Sequence, residues 1–134
     1  MEPFADLDGD GVIGQDPLGL GLRFWKADPG LVARFDPRPD QMGPPGYLHG
    51  GVAATVLDET MASLGWALDD VPCVTATLEL RYRAGIAIDG GPVRVEAWRD
   101  RPEPRRSQKV KGRILLADGR VAVEASGLFV QVRS

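Results

Sequence analysis

The chain has 134 residues, 43% of them hydrophobic, and a formal net charge of -3, which suits one compact domain and argues against a general nucleic-acid partner. Its single cysteine, Cys73, excludes an intrachain disulfide framework and offers no ligand cluster for zinc. Because no basic, apolar leader and no apolar run of about 20 residues is present, we expect no membrane partner and a cytoplasmic location.

The first 17 residues are rich in Asp, Gly and Pro and predict an irregular acidic lead-in, residues 1–17, before a single domain at residues 18–134. Asp6, Asp8 and Asp10 alternate before Gly11, as in the first half of an EF-hand calcium loop. Counted from Asp6, however, position 12 is Pro17 instead of a bidentate Glu. We therefore predict a solvated acidic tail and no metal site.

Two short strands are predicted next, in "LGLRFWKAD" and "LVARFDP", joined by a hairpin at Asp28, Pro29 and Gly30. The Pro/Gly-rich stretch "PRPDQMGPPGYLHGG" suits neither a helix nor a strand and predicts an irregular connection. "VAATVLDETMASLGWAL" is the one convincing helix, and it is nearly all apolar. Its surroundings should therefore cover most of its circumference.

Four strands follow the helix. In "CVTATLELRYR" apolar side chains alternate with polar ones, which predicts a half-buried strand with one face made by Val74, Ala76, Leu78, Leu80 and Tyr82. "PVRVEAW", "SQKVKGRILLA" and "RVAVEASGLFVQV" are separated by turn residues. The order predicts an α+β fold, with an antiparallel sheet of about six strands wrapped around one central helix.

The stretch "HGGVAATVLDE" combines glycines at a helix start with an acid in an apolar helix. Helix N-termini present backbone N–H groups, and glycine lets a substrate approach them closely. A carboxylate is costly to bury without partners, which suggests a role beyond packing. The structural alternative is that His49 hydrogen-bonds the helix start and that Gly50 and Gly51 only permit a tight turn.

"GPPGYLHGGVAATVLDE" followed by "VTATLELRYRA" resembles the hotdog-fold acyl-CoA thioesterases of the PaaI/4HBT superfamily, in particular the THEM4-like branch, over roughly residues 31–132. The resemblance implies that the Gly50 N–H holds the oxyanion of the thioester, with support from His49. It also implies a catalytic carboxylate seven residues beyond Gly51, which is Asp58.

Two further positions follow from the resemblance. Thr75 stands where similar enzymes carry a Ser or Thr that holds the attacking water or the carboxylate, although a strand threonine often only satisfies the backbone. Gly43 stands where many relatives have Asn or Gln, so the oxyanion site is expected to lack a side-chain donor.

Adjacent helical residues point about 100° apart, so Asp58 and Glu59 cannot both face one thioester. Asp58 shares its side of the helix with small residues: Gly51, Ala54, Thr55, Ala62 and Gly65. Glu59 lies instead beside Val56, Ser63 and Trp66. The small side suits a substrate or a second helix, and the resemblance implies a homodimer or dimer of dimers whose sites take the glycine from one subunit and the carboxylate from the other.

The "WRDRPEPRRSQKVKGR" hairpin is strongly basic, and coenzyme A carries several phosphate charges. Arg105, Arg106 and Lys109 are therefore candidate CoA contacts, the alternative being a solvated hairpin. We assign Gly51 and Glu59 to substrate binding, and the reaction calls for no cofactor besides the CoA of the substrate.

The sequence thus predicts an acyl-CoA thioesterase in which Asp58 acts as base or nucleophile. An acyl carrier protein thioesterase and a non-catalytic hotdog protein that senses acyl-CoA remain as alternatives, with calcium binding a distant third. Hydratases of the same fold need a different Asp and His signature, which the lone His49 does not provide.

Overall fold

The computed structural model describes residues 4–132, which form one antiparallel sheet around a single long helix. The elements in chain order are β1 (Val12–Ile13), β2 (Arg23–Ala27), β3 (Gly30–Phe35), α1 (Gly50–Asp69), β4 (Cys73–Tyr82), β5 (Val93–Arg99), β6 (Ser107–Leu115) and β7 (Val121–Gln131). Neighbouring strands follow the order β1-β2-β3-β5-β6-β7-β4, which leaves β4 at one edge. The predicted α+β hotdog architecture is confirmed.

The core forms where one side of α1 rests on the sheet. The helix buries Ala53, Val56, Leu57, Met61 and Leu64 against inward side chains of β3, β5, β6 and β7. Strand register places Ala97, Gly112 and Ala125 side by side beneath it. A Cβ atom at Gly112 would lie 2.9 Å from the Met61 sulfur. These small residues therefore let the helix approach the sheet closely.

Two predictions about the first half of the chain need correction. The sheet has seven strands instead of about six, because the two-residue β1 forms within the lead-in and pairs with β2. The Pro/Gly-rich connection contains a one-turn 3-10 helix at Pro39–Gln41. Both elements are too short for sequence periodicity to reveal.

The lead-in is also not a solvated tail over its described residues. The Phe4 ring stacks on Trp25 at a centroid distance of 5.9 Å, and the Asp6 carboxylate accepts a 2.7 Å hydrogen bond from Arg94. These contacts lie on the sheet face remote from α1. Val95, which follows Arg94 in β5, points into the core, as does Ala33, so Arg94 points to the opposite face. The segment is held by partners far away in sequence.

The helix is covered on one side only, which contradicts the expectation that most of its circumference would be enclosed. Trp66 is 56% exposed and Leu68 is 42% exposed. The reason is that one sheet contacts one side of a helix, and within residues 4–132 nothing packs over the opposite side except the segment that precedes β2.

Candidate active site

The start of α1 is capped by His49. Its Nδ1 atom accepts a 2.8 Å hydrogen bond from the Gly51 N–H, and its carbonyl accepts from the Val52 and Ala53 N–H groups. No hydrogen bond within residues 4–132 uses the Gly50 N–H. The structure therefore leaves Gly50 as the available donor at this helix end, while the Gly51 N–H is already engaged.

Tyr82, at the end of β4, holds the same helix start from the side. Its hydroxyl donates a 2.7 Å hydrogen bond to the Gly50 carbonyl. The peptide group between Gly50 and Gly51 is thus fixed at both ends, by Tyr82 on its oxygen and by His49 on its N–H. The sequence does not predict this role, because the two partners are 32 positions apart and no local pattern links them.

The loop before the helix explains the glycine at position 43. A Cβ atom there would lie 2.9 Å from the His49 Cα atom, so an Asn or Gln would require the loop to move. The loop is held by backbone bonds, since Gly43 donates to the Tyr47 carbonyl and His49 donates to that of Gln41. An Asn or Gln side chain, which the resemblance suggested as a donor at this position, has no room here.

Asp58 and Thr75 meet between the helix and β4. The Thr75 hydroxyl donates a 2.6 Å hydrogen bond to the Asp58 carboxylate. The two residues that we predicted to act together are therefore brought together, with Asp58 half-buried and Thr75 exposed on the edge strand.

A β-bulge in β4 makes this contact possible. The pairing of β4 with β7 shifts between Thr75 and Thr77, so the side chains change faces at Ala76. Before the bulge Thr75 faces the helix, whereas after it Leu78 and Leu80 pack on the core. The predicted uniform alternation, which placed Val74 and Ala76 on the core face, is therefore wrong. Bulges commonly redirect a side chain beside an active site.

Glu59 points away from Thr75 into a separate cleft. This Glu59 cleft has a volume of about 620 Å³ and lies between the segment 12–24 and the helix, with Ser63 and Trp66 on the helix side. Burial, then the nearby charges of Asp58 and Asp16, raises the pKa of the Glu59 carboxyl. The prediction that Asp58 and Glu59 face different surroundings agrees with this geometry.

The raised pKa of Glu59 predicts how the stability of the fold depends on this carboxyl at different pH values. A carboxyl whose folded-state pKa exceeds its unfolded-state pKa destabilises the fold when it is ionised, and this cost disappears as the pH falls below the unfolded-state value. We expect Glu59→Gln to raise the melting temperature at pH 7 and to change it little near pH 3. Thermal unfolding at both pH values checks this, and a variant less stable than wild type at pH 7 would contradict it.

The basic candidates lie beyond the C-terminal end of the helix. Arg105 and Arg106 line a broad surface cleft of about 940 Å³ beside Leu68, and Arg105 also lines a smaller cleft of about 380 Å³ with Lys109. Both clefts also include Arg99 and Arg101, which were not among the predicted CoA contacts. Five of the seven cations between Arg99 and Arg113 therefore line two adjoining depressions, together with the carboxylates Asp69, Asp100 and Glu103.

Arg99 is held in place beneath these cations. Its guanidinium donates to the Asp69 carboxylate at 2.9 Å, to the Gln108 side chain at 2.6 Å and to the Pro102 carbonyl at 2.7 Å. The Asp69 side chain is 5% exposed and that of Arg99 is 7% exposed, and the paired carboxylate keeps the pKa of Arg99 above its ordinary value. This pair ties the helix end to β5.

Among residues 4–132, no group of three or more His, Cys, Asp or Glu side chains could hold a metal ion. Asp6, the first residue of the calcium-like motif, pairs with Arg94. In the same described range, no helix is long and apolar enough to cross a membrane.

Comparison with known proteins agrees with this architecture. A family model described as the thioesterase superfamily matches residues 45–123, which include α1, β4, β5 and β6. The chain therefore belongs to the thioesterase superfamily, and the predicted resemblance is confirmed. Acyl-coenzyme A thioesterase THEM4 of Xenopus laevis is 29% identical over 129 residues, which cover 87% of this chain and 54% of that protein. The chain thus spans about half the length of this relative.

Solved structures share the fold. AziG of S. sahachiroi superposes with a TM-score of 0.75 at 24% identity, covering 86% of this chain and 94% of that chain. The BH2602 protein of Bacillus halodurans, solved with CoA, gives a TM-score of 0.74 at 23% identity and covers 86% of this chain and 76% of its own.

Proposed function

We propose that this chain hydrolyses the thioester of acyl-CoA to a free carboxylic acid and CoA. The observation that carries the proposal is the 2.6 Å hydrogen bond from Thr75 to Asp58, a half-buried carboxylate on a largely apolar helix. The bulge turns the exposed Thr75 toward the helix, where its hydroxyl holds the carboxylate. Membership of the thioesterase superfamily and the THEM4 relative support the same reaction.

The chemistry divides between two groups. Asp58 removes a proton from water as it attacks the thioester carbon, or attacks that carbon itself and is then released by water. The Gly50 N–H stabilises the negative charge that develops on the carbonyl oxygen. In both routes the C–S bond breaks, the sulfur leaves as the CoA thiol after protonation, and one water is consumed. Thr75 keeps the carboxylate in position and leaves its second oxygen for the reaction.

The two groups cannot serve one thioester within a single chain. Gly50 and Asp58 are eight residues apart on one helix, which separates them by about 12 Å along its axis. The thioester carbon that Asp58 must reach and the thioester oxygen that the Gly50 N–H must contact are only about 1.2 Å apart. We therefore propose a homodimer, or a dimer of dimers, in which Gly50 of one subunit meets Asp58 of the other. The small residues beside Asp58 and the exposed edge strand β4 support this assembly.

His49 and Tyr82 act as positioning residues in this proposal. Their side chains fix the Gly50–Gly51 peptide group, and the His49 carbonyl, which belongs to the same peptide group as the Gly50 nitrogen, accepts from Val52 and Ala53. A donor that is already oriented does not have to reorganise as charge develops, and preorganisation of this kind accounts for much of oxyanion stabilisation.

The basic hairpin is proposed to hold the phosphates of CoA. Replacing Arg105 and Arg106 by alanine should raise KM for acyl-CoA more than for a truncated thioester that lacks the nucleotide, because only acyl-CoA has phosphates to lose. Steady-state kinetics on the two substrates measures the difference. Equal changes in KM would leave the hairpin as a solvated surface.

The reaction itself is tested by measuring release of free thiol from a panel of acyl-CoA substrates, with acyl carrier protein thioesters assayed alongside. We expect turnover of one or more acyl-CoA substrates. Turnover of the carrier-protein thioesters alone would favour that alternative, and tight binding of acyl-CoA without hydrolysis would favour a sensor.

A further inference from the structure

On the basis of the proposed function, we propose that the Glu59 cleft holds the acyl group of the substrate and selects an apolar chain that carries a hydroxyl or amino group. Glu59, the residue that follows Asp58 on α1, lines this cleft, whose volume of about 620 Å³ is within the range of small-molecule sites. Apolar side chains form most of its wall, including Leu18, Leu20, Leu22, Phe24, Leu31 and Trp66.

The polar residues of the wall are Gln15, Asp16, Lys26, Glu59 and Ser63, and Glu59 is the carboxylate that we expect to give the cleft its selectivity. Within residues 4–132 its carboxyl makes no hydrogen bond or ion pair, although it is half-buried among apolar side chains. The other carboxylate of the wall, Asp16, is already engaged, because it accepts from the Leu20 N–H at 2.8 Å and from the Gly21 N–H at 2.9 Å. A donor on the ligand would supply the partner that Glu59 lacks.

Two small residues of α1 lie between Asp58 and the cleft. Thr55 and Ala62 are each three or four positions from both acids, so they lie between the two carboxylates on the helix surface. Thr55 is bent back, with its hydroxyl donating 2.8 Å to the Gly51 carbonyl. These two small side chains leave room for an acyl chain to cross from the thioester carbon to the cleft.

The spacing of Asp58 and Glu59 on the helix also sets the length of acyl chain that would reach from one to the other. Side-chain tips of adjacent helical residues, 100° apart on a helix about 10–12 Å in diameter, are separated by roughly 8–9 Å. An extended chain of about six atoms spans most of this distance. A hydroxyl near the sixth carbon of the acyl group would therefore reach Glu59.

The test compares hexanoyl-CoA with 6-hydroxyhexanoyl-CoA, which differ by one hydroxyl. For the wild-type protein we expect kcat/KM to favour the hydroxylated substrate about tenfold. Glu59→Leu should bring the ratio to one or below. Glu79→Leu, which removes a carboxylate from the opposite face of the sheet, should keep the wild-type ratio. Melting curves establish that each variant is folded.

A second variant tests the cleft without changing Glu59. Ser63→Leu narrows it from the helix side and should lower kcat/KM for hexanoyl-CoA at least about fivefold relative to acetyl-CoA. If both six-carbon substrates are hydrolysed with a ratio near one, or with a ratio that Glu59→Leu leaves unchanged, the cleft assignment is overturned and the thioesterase proposal stands. Failure to hydrolyse any acyl-CoA would remove both.

Discussion

Asp58→Asn is expected to lower kcat by roughly 10²–10⁴, because it removes the group that accepts a proton or attacks the thioester. Asparagine has nearly the size of aspartate, and its side-chain oxygen can still accept the hydrogen bond from Thr75. Substrate binding should therefore survive. Single-turnover and steady-state assays on the best acyl-CoA substrate separate the two effects.

Glu59→Gln is the matched control for this experiment. It changes the neighbouring acid, which faces the cleft and not Thr75, so we expect a much smaller loss of kcat on an unsubstituted acyl-CoA. Both variants should be shown to melt cooperatively before kinetics. An active Asp58→Asn with an inactive Glu59→Gln would mean that the other acid is catalytic, and two active variants would overturn the mechanism.

The largest expected effect on stability comes from the pair at the end of the helix. Asp69→Asn leaves the Arg99 guanidinium buried without its charged partner, and breaking such a pair costs about 3–5 kcal/mol in the free energy of unfolding. Urea unfolding monitored by circular dichroism measures the change.

The control is an exposed ion pair of the same type. Arg120→Gln removes the partner of Asp118 in a surface turn, where both side chains are more than half exposed. Solvent screening limits the value of such a pair to about 0–1 kcal/mol. If Asp69→Asn proved no more destabilising than Arg120→Gln, the buried pair would not be what ties α1 to β5.

Sequence patterns predicted most of the fold because its elements are locally encoded. The turn at Asp28, Pro29 and Gly30 joins β2 to β3 as expected, and the apolar stretch after Gly51 forms α1. The four later strands also form within a residue or two of the predicted ends. Period and turn residues suffice for elements of this length.

The parts that the sequence did not predict depend on contacts between distant residues. Asp6 meets Arg94 across 88 positions, and Tyr82 reaches Gly50 across 32. The bulge at Ala76 is likewise set by the partner strand β7, since the residues of β4 read as an unbroken alternation. No single-sequence periodicity carries such information.

The candidate site also divides into parts that the sequence predicts and parts that depend on contacts between distant residues. The spacing of Gly50, Asp58 and Thr75 was available from the sequence and its resemblance, and the structure brings Thr75 to Asp58. The Glu59 cleft was not available, because about a third of its wall comes from the part of the lead-in between Val12 and Pro17, which the composition marked as irregular.

Subunit complementation tests the shared site most directly. Gly50→Pro removes the proposed donor N–H at the first helical position, where proline is favoured, and the preceding His49 already has an extended backbone with ψ of 133°. Gly50→Pro and Asp58→Asn should each be nearly inactive as homodimers, because every site in either one lacks a reacting group.

When the two variants are co-expressed with different tags and the mixed dimers are verified, each mixed dimer should contain one intact site, made by Gly50 of one subunit and Asp58 of the other. Random pairing then restores about one quarter of wild-type acyl-CoA hydrolysis. Activity no higher than that of the separate variants would contradict a site shared between subunits.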